Sequence, residues 1–357
     1  LRKFDWLLFL PVFVLGIIGL VAIYSSDLAK TDSDFTNFKK QLIMFALGFL
    51  VFFIISILNY RQFRNAKNLL YLLGLGLLVG VLFFGKTLRG TTGWFILGPF
   101  SFQPVEIVKI ILVIFLADYF SREGRNLFGF GNIIKSLIAV LIFVALVMRQ
   151  PDMGSAVILF LVWLGMLLTS RVQKKHLLIL FLLFIIVSAS LWFFVLHDYQ
   201  KNRIKVFVNP ELDPLRAGYN IKQSIIAVGS GGFFGKGLGF GSQSQLRFLP
   251  EAHTDFIFAL IAEEMGFVIV ALILGLYALF FLRILKIARE SKNDFTAYLA
   301  IGFLIVFMSE TVINIGMNLG LMPVTGLALP FMSLGGSALV SNFIMVGMLE
   351  SVRLRSQ

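Results

Sequence analysis

The chain has 357 residues, of which 58% are hydrophobic and only 14% charged, with a formal net charge of +12. Soluble domains carry about 25% charged residues. Several apolar runs here approach or exceed the roughly 18 residues that cross a bilayer. The composition therefore excludes a water-soluble globular fold and indicates a polytopic membrane protein. The absence of cysteine excludes disulfides, thiolate catalysis and cysteine-based zinc sites.

The apolar runs predict an all-α membrane protein with ten transmembrane helices in a single domain, 1–357. We expect the spans at 6–25, 41–58, 69–85, 104–120, 133–149, 153–169, 177–197, 255–282, 296–317 and 329–350. No small-residue cleavage site follows the first apolar run, which indicates a membrane span rather than a signal peptide. One long loop, 198–254, separates spans seven and eight.

Lysine and arginine collect at one set of helix ends. These residues are Arg2, Lys3, Arg61, Arg64, Lys67, Arg122, Arg125, Arg171, Lys174, Lys175, Arg283, Lys286, Arg289, Lys292, Arg353 and Arg355. The positive-inside rule then places both termini in the cytoplasm and the loop 198–254 outside. Because the positive charge clusters at helix ends, it does not indicate a nucleic-acid partner.

The external loop contains a segment with helical periodicity and a set of basic residues. Ile221, Ile225 and Val228 recur at helical spacing, which predicts an amphipathic segment lying on the membrane. The basic residues are Arg203, Lys205, Arg216, Lys222, Lys236 and Arg247. They suit an anionic headgroup such as pyrophosphate, although contact with ordinary lipid phosphates is the simpler explanation for any one of them. The stretch GSGGFFGKG at 229–237 lacks the hydroxyl residue of a phosphate loop, so no nucleotide is expected.

Charged residues inside the predicted spans are costly and call for a reason. Glu106 and Lys109 are three residues apart and can pair on one helix face. Such a pair either fastens helices together or lines a polar cavity. Glu310 begins a polar face with residues at 314 and 318, which favours hydrogen bonding between helices. Asp152 precedes span six and is predicted to cap it or to form a surface contact at its start.

Asp255 stands where the long polar loop ends and span eight begins. A carboxylate there is either a helix cap or a working group at the lipid–water boundary. On a continuous helix Glu263 lies about 80° from Asp255 and shares its side, whereas Glu264 lies about 180° away. His253 and Asp255 are two residues apart, and two ligands alone do not make a metal site, so no metal ligand is assigned.

Seven motifs carry a resemblance to a known family. They are GTTGWFILG at 90–98, FQPVEIVK at 102–109, QPDMGS at 150–155, NPELDPLRAGYNIKQS at 209–224, GSGGFFGKG at 229–237, FLPEAHTDFIF with EEMG at 248–266, and NLGLMPVTGLALPFMSLGG at 318–336. With these motifs nearly the whole chain resembles the SEDS family (shape, elongation, division and sporulation proteins) of peptidoglycan glycosyltransferases. The segments 213–219 and 241–245 are more similar to the RodA branch than to the FtsW branch. Gly93 departs from the family pattern, which usually has a basic residue there.

The resemblance implies polymerisation of lipid II into glycan strands at the outer face of the bacterial cytoplasmic membrane during cell elongation. It implies that Asp255 is the essential carboxylate and that Glu106 and Lys109 belong to a functional cavity. We add Asp152 and Glu263 to the predicted substrate cavity. The resemblance further implies a divalent cation, Mg²⁺ or Mn²⁺, and a class B penicillin-binding protein as partner.

The expected chemistry suits one carboxylate. A sugar hydroxyl attacks an anomeric carbon that carries undecaprenyl pyrophosphate, and a general base takes the hydroxyl proton. Pyrophosphate leaves once its charge is neutralised, and direct attack inverts the anomeric centre without a second carboxylate. A lipid II flippase, a scaffold for the partner enzyme and a division paralogue of the FtsW type are the alternatives.

The partner is expected to bind through its transmembrane helix at spans eight and nine. Gly302, Gly316 and Ala300 of span nine allow close approach of another helix. Close contacts between these small residues and other helices of the same chain would explain their presence equally well.

Overall fold

The computed structural model shows a mostly helical protein. The residues it describes are 4–28, 35–88, 90–98, 100–123, 130–170, 172–173, 175–176, 178–179, 201, 205–213, 217–246, 248–249 and 251–356. Most of the predicted seventh span, 177–197, lies outside these residues, as do Arg203, Arg216 and Arg247. The count of ten spans and the position of the long loop therefore stay predictions.

Twelve helices are numbered here in chain order through the described residues. They are α1 Trp6–Leu28, α2 Thr36–Ile57, α3 Tyr60–Asn65, α4 Lys67–Phe84, α5 Pro104–Glu123, α6 Phe130–Arg149, α7 Met153–Thr169, α8 Ala217–Ser230, α9 Ser242–Gln245, α10 Ile257–Arg289, α11 Asp294–Asn318 and α12 Gly336–Ser356. In this part of the chain, α1, α2, α4, α6, α10, α11 and α12 are each long and apolar enough to cross a membrane. A multi-pass membrane protein is thereby confirmed.

Helix α5 lies at the centre of the bundle and packs against α4, α6, α7, α11 and α12. Its residues Val108, Leu112 and Leu116 are fully buried. Proline is favoured in the first turn of a helix, where its missing N–H costs no hydrogen bond, and α5 begins at Pro104. This central position keeps Glu106, Lys109 and Asp118 of α5 buried.

A small antiparallel sheet connects α4 to α5 and corrects the all-α prediction. Its strands are β1 Lys86–Leu88, β2 Thr91–Leu97 and β3 Phe100–Phe102, with β2 in the middle. Phe95 pairs with Phe102 across β2 and β3. Gly90 and Gly98 precede and follow β2 with positive φ, a conformation that glycine adopts without strain. The aromatic and β-branched residues between these glycines are typical of a strand.

Helix α10 is broken at Gly266, which has φ 74° and ψ −176°. The prediction of one continuous helix over 255–282 is wrong at this point. The glycine-rich segment 229–241 packs against the break and supplies the missing backbone partners. The N–H groups of Lys236 and Gly237 donate to the carbonyls of Glu263 and Glu264 at 3.0 and 2.9 Å.

Past the break, the direction of the hydrogen bonds reverses. The N–H groups of Phe267 and Val268 donate to the carbonyls of Gly232 and Phe233 at 2.9 and 3.1 Å. A Cβ atom on Gly266 would come within 2.2 Å of the Gly235 nitrogen, so the two backbones meet without room for a side chain. The glycines of this segment therefore form a tight turn rather than a flexible stretch.

The predicted amphipathic segment is helical. Helix α8 buries Ile221 and Ser224, and the Ser224 hydroxyl donates to the Asn318 carbonyl at 2.8 Å. Ile225 and Ile226 are about half exposed. Packing against α10 and α11 thus accounts for one face of α8, and its position relative to the membrane surface stays a prediction.

The predicted start of the last span, at residue 329, is wrong. Residues 319–335 form an irregular segment and α12 begins only at Gly336. Pro330 is followed by Phe331 at φ 66°, which no helix accommodates. The Leu334 N–H donates to the His253 carbonyl at 3.0 Å, so this segment lies against the residues that precede α10.

Candidate active site

Asp255 lies in the turn just before α10. Phe256 occupies the N-cap position of the helix and makes no side-chain capping bond, so the capping interpretation of Asp255 is wrong. The side-chain amides of Asn314 and Asn318 both donate to the Asp255 carbonyl, at 3.1 and 3.0 Å. Two hydrogen bonds from one face of α11 therefore fix the backbone that carries this carboxylate.

The segment 318–336 borders Asp255 on its other side. The Ser333 hydroxyl donates to the Thr254 carbonyl at 2.6 Å. Gly326 has φ 76°, and a Cβ atom built on it would lie 3.5 Å from Oδ2 of Asp255. The carboxylate therefore sits beside bare backbone, which keeps the space next to it open to a ligand.

Lys109 lies between two carboxylates. Its Nζ contacts Oε2 of Glu106 at 2.8 Å and also hydrogen-bonds to Oε1 of Glu310 on α11. Lys109 is only 2% exposed and both glutamates are buried. The predicted pair of Glu106 and Lys109 is confirmed, and Glu310 makes it a cluster of three that joins α5 to α11.

Asp152 caps α7, as predicted. One carboxylate oxygen accepts from the Ser155 N–H at 2.9 Å, and the other accepts from the Ser155 hydroxyl at 2.7 Å. The Gln103 side-chain amide donates to the second oxygen at 3.1 Å, which ties the end of the sheet to α7. Burial raises the pKa of this carboxyl, because removal from water penalises the charged form more than these hydrogen bonds favour it.

A cavity of about 80 Å³ brings these groups together. Its lining includes Glu106, Lys109, Asp152 and Asp255 from the predicted site, and also Glu310, Trp94, Gln103, Ser155, Thr254, Gly326, Ser333, Ser337 and Asn342. Sequence reasoning missed Glu310 and Trp94 as members of the site. The four-residue spacing of polar residues along α11 was visible in the sequence, but it was interpreted as hydrogen bonding between helices. Trp94 lies within one of the family motifs.

Glu263 is placed elsewhere, away from the residues that line the cavity. Its Oε1 accepts from Lys236 Nζ at 2.9 Å and from the Gln243 N–H at 3.0 Å. The predicted angle between Glu263 and Asp255 assumed one helix through both residues. Because α10 begins only at Ile257, that geometry does not apply.

The basic residues predicted to bind a headgroup fall into three groups: one pairs with a buried glutamate, one is half exposed, and three lie outside the described residues. Lys236 contacts Glu263 and so helps to fasten the glycine-rich segment to α10. Lys222 is half exposed, with Glu211 at 3.9 Å. Arg203, Arg216 and Arg247 lie outside the described residues.

The described residues provide no set of ligands for the divalent cation that the resemblance implies. Over the described stretches of chain, no group of three or more His, Asp or Glu side chains is arranged to hold a metal ion. Glu106 and Glu310 already share the Lys109 ammonium. No reaction step is therefore assigned to a metal.

Comparison with known proteins gives consistent matches over the full length. The model of the cell cycle protein family that comprises FtsW, RodA and SpoVE matches residues 5–357. The chain is 36% identical to the peptidoglycan glycosyltransferase MrdB of Escherichia coli K12, over 96% of this chain and 92% of that protein. It is 32% identical to the peptidoglycan glycosyltransferase RodA of Treponema pallidum, over 99% and 98%.

Solved structures show the same similarity. A chain of a peptidoglycan synthase complex that coordinates polymerization and crosslinking matches with a TM-score of 0.81 and 29% identity, over 98% of this chain and 97% of that one. The rod shape determining protein RodA of Thermus thermophilus matches with a TM-score of 0.70 and 28% identity, over 98% and 96%. The sequence motifs, the fold and these matches agree, and this chain belongs to the SEDS family of FtsW, RodA and SpoVE proteins.

Proposed function

We propose that this chain is a peptidoglycan glycosyltransferase that polymerises lipid II at the outer face of the cytoplasmic membrane. The observation that carries the proposal is the cavity at the start of α10, where Asp255 faces the cluster of Glu106, Lys109 and Glu310. A chain of a peptidoglycan synthase complex and several named peptidoglycan glycosyltransferases share the fold or the sequence.

Ion pairs between helix ends support the proposed orientation. Arg283 contacts Asp5 at 2.6 Å and Arg353 contacts Glu290 at 2.8 Å, so the basic end of α10 lies beside the ends of α1 and α12. Asp255 stands at the opposite end of α10. If the basic ends face the cytoplasm, as the positive-inside rule requires, the cavity opens towards the outer leaflet, where lipid-linked substrates meet.

In the proposed reaction Asp255 is the general base. The acceptor sugar hydroxyl gives its proton to the carboxylate while its oxygen forms a bond to the donor's anomeric carbon. The bond from that carbon to the pyrophosphate oxygen breaks, and undecaprenyl pyrophosphate leaves with the bonding electrons. Attack from the opposite face inverts the anomeric centre in a single step.

The leaving pyrophosphate needs positive charge at the rim of the cavity rather than inside it. Lys109 uses two of its three N–H donors on Glu106 and Glu310. We therefore assign charge neutralisation to the basic residues of the external loop, among which Lys222 is described and half exposed. A divalent cation carried in with the pyrophosphate is a compatible addition.

Purified protein reconstituted with lipid II tests this function. Glycan polymer made without a second enzyme is the expected product. Transbilayer movement of lipid II without polymer would instead identify a flippase. Polymer yields that are equal in wild type and Asp255→Ala would remove Asp255 from the chemistry, and unaffected cell-wall synthesis in cells carrying that variant would favour a scaffold.

We further propose an elongation role, on the two loop segments that resemble the RodA branch. The known relatives include proteins named RodA and FtsW, so relatedness alone does not separate the roles. Expression in cells depleted of their own elongation enzyme should restore rod shape. Rescue of septation in division-depleted cells, without rescue of shape, would reverse the assignment.

The proposed partner is a class B penicillin-binding protein that binds through its transmembrane helix. The small residues of α11 do not provide the contact, because they pack inside this chain. A Cβ atom on Gly302 would come within 2.5 Å of Val113 and one on Gly316 within 3.0 Å of Met322, while Ala300 is fully buried. Packing within this chain therefore accounts for these three small residues.

Helix α10 offers the more suitable surface. Nothing lies within 4 Å of a Cβ atom built on Gly275, and Leu272 and Leu279 on the same helix are exposed. Helix α11 adds exposed Met308 and Val312. Cysteines introduced at these positions, in a chain with no native cysteine, should crosslink to the partner's transmembrane helix. Crosslinks confined to α1, α2 and α4 would overturn this assignment.

A further inference from the structure

The short sheet between α4 and α5 places an aromatic ring at the cavity. Trp94 lies in the central strand β2, lines the cavity and is partly exposed. Its indole N–H donates to the Thr91 hydroxyl at 3.2 Å, which restricts rotation of the ring. The lining combines polar side chains with apolar ones, and Phe331 is a second aromatic ring in it. Phe331 is buried and stacks on Phe307, whereas Trp94 is partly exposed, so core packing does not explain the Trp94 ring.

The sheet is held rigidly against the helices that surround the cavity. The Thr92 N–H donates to the Gln150 carbonyl at 3.2 Å. A Cβ atom on Gly93 would come within 3.1 Å of the Gln150 side-chain oxygen, so β2 lies close against this residue. At the end of β3, Gln103 donates to Asp152. Trp94 is therefore positioned by contacts of its sheet with Gln150 and Asp152, in the connection between α6 and α7.

The polar lining accepts hydrogen bonds more readily than it donates them. Among the described lining residues, the carboxylates of Glu106, Asp152, Asp255 and Glu310 outnumber the single amine of Lys109. Hydroxyls line the cavity at Ser155, Thr254, Ser333 and Ser337, and an amide at Asn342. Such a surface binds neutral groups rich in hydroxyls and repels phosphate.

We propose that the cavity is a saccharide subsite in which Trp94 stacks on a pyranose ring of the substrate and the carboxylates accept hydrogen bonds from its hydroxyls. The C–H face of a pyranose carries partial positive charge and complements the negative face of an indole. The pyrophosphate then stays outside this cavity, near the basic residues of the external loop. This assignment rests on the proposed glycosyltransferase function and specifies which part of the lipid-linked substrate the cavity holds.

Binding measured separately for two ligands tests the subsite. The purified full-length chain in lipid nanodiscs is titrated with lipid II, which carries sugars, and with undecaprenyl pyrophosphate, which carries none. Trp94→Leu should weaken lipid II binding about tenfold, the upper range for one aromatic contact. Its affinity for undecaprenyl pyrophosphate should stay within about twofold of wild type, because the pyrophosphate does not reach the ring.

Phe95→Leu is the matched control. Phe95 is the next residue in the same strand, and its ring points towards α4, 3.8 Å from a Cβ atom built on Gly80. This variant should leave both affinities unchanged, and Trp94→Tyr should restore most of the lipid II affinity. Equal weakening of both ligands by Trp94→Leu, or no weakening of either, would overturn the saccharide subsite.

If Trp94→Leu does not fold, a binding measurement on the wild-type protein still tests the subsite. Wild type should bind lipid II at least about tenfold more tightly than undecaprenyl pyrophosphate, and equal affinities would contradict the proposal. These readouts are independent of catalysis. A wild-type protein that prefers lipid II but makes no polymer would overturn the proposed function and leave the subsite standing.

Discussion

Helix α5 carries two charge clusters of opposite composition. At its N-terminal end, the outer end in the proposed orientation, one amine, Lys109, lies between the carboxylates of Glu106 and Glu310. At its C-terminal end, the inner end in that orientation, one carboxylate, Asp118, is contacted by Arg64 at 2.7 Å, Arg122 at 2.7 Å and Lys67. The inner cluster has surplus positive charge, and the outer cluster has surplus negative charge.

The two clusters differ in how their surplus charge is solvated. At the inner end Arg122 is 62% exposed and Arg64 34% exposed, so water stabilises the extra positive charge. At the outer end every member is less than one-tenth exposed and the cluster borders the cavity. A buried surplus that water does not solvate is costly unless a proton or a ligand compensates it. The comparison indicates a structural role for the inner cluster and a functional role for the outer one.

The largest expected effect is on the chemistry next to the outer cluster. Asp255→Asn keeps the size and backbone bonds of the residue but removes the base, so polymerisation should fall by about 10² to 10⁴-fold. Lipid II polymer is measured with purified protein, and yield and melting temperature should match wild type. Near-normal turnover by a well-folded variant would exclude Asp255 as the base.

Lys109→Met should be the most destabilising of the cluster variants. It leaves Glu106 and Glu310 buried without their cation, at a cost of about 3–5 kcal/mol. Glu310 is the third member of this cluster. The double variant Glu106→Gln, Lys109→Met therefore still leaves the Glu310 carboxylate buried without its cation. Only the triple variant that adds Glu310→Gln should recover the thermal stability of the purified protein. Full recovery in the double variant would show that Glu310 does not belong to the cluster.

The Asn318→Leu variant tests the backbone support of Asp255. It removes one of the two amides that hold the Asp255 carbonyl, so the carboxylate should lose its position and kcat should fall about tenfold. KM for lipid II should change little, since Asn318 is not among the cavity-lining residues. The exposed Asn209, at the start of a short turn in the loop, is the control position. A rise in KM with unchanged kcat would indicate a substrate contact instead.

At the inner end, Asp118→Asn should have a smaller effect. The cations left behind are partly solvated, so the loss of stability should be about 1 kcal/mol, with turnover close to wild type. Unfolding midpoint and polymer yield are the two measurements. A loss of activity comparable to that of Lys109→Met would break the distinction between the two clusters.

The smallest expected effect is a pH dependence at Asp152. Its pKa is raised above the ordinary 3.8 in the folded protein, so the folded state holds this proton more tightly than the unfolded state. Stability contributed by the protonated form is therefore present at low pH and is lost as pH rises through the raised pKa. Asp152→Asn keeps a capping oxygen and does not titrate. Melting temperatures of both proteins between pH 4 and 7 should diverge, with wild type falling relative to the variant; parallel curves would contradict this.

Local sequence rules drew attention to four of the five charged residues that line the cavity in the described part of the chain. Spacing paired Glu106 with Lys109, placement before an apolar run marked Asp152 as a cap, and the change from polar loop to apolar span drew attention to Asp255. What was missed depends on contacts between distant segments. Glu310 and Lys109 are 201 residues apart in the sequence, and rules based on residue spacing predict only contacts within one helix.

The errors in the fold have a similar origin. Hydropathy does not register a single residue with positive φ, so Gly266 was read as part of an unbroken helix. The sheet was missed because its strands lie in a stretch assigned to a connection between spans. Glu263 was misplaced as a consequence of where α10 begins, since helical angles apply only within one regular helix.

At the break at Gly266, backbone hydrogen bonds join the glycine-rich segment 229–241 to helix α10, so we expect the two to move together. Four backbone hydrogen bonds cross between them, and a buried backbone group left unpaired costs about 1–3 kcal/mol. These bonds couple the two segments, so we expect the glycine-rich segment to leave only when Gly266 changes its backbone geometry. Such a change would redirect the nine residues from Ile257 to Met265, which follow Asp255. A force that displaces the segment 229–241 is therefore expected to rotate the end of α10 beside Asp255.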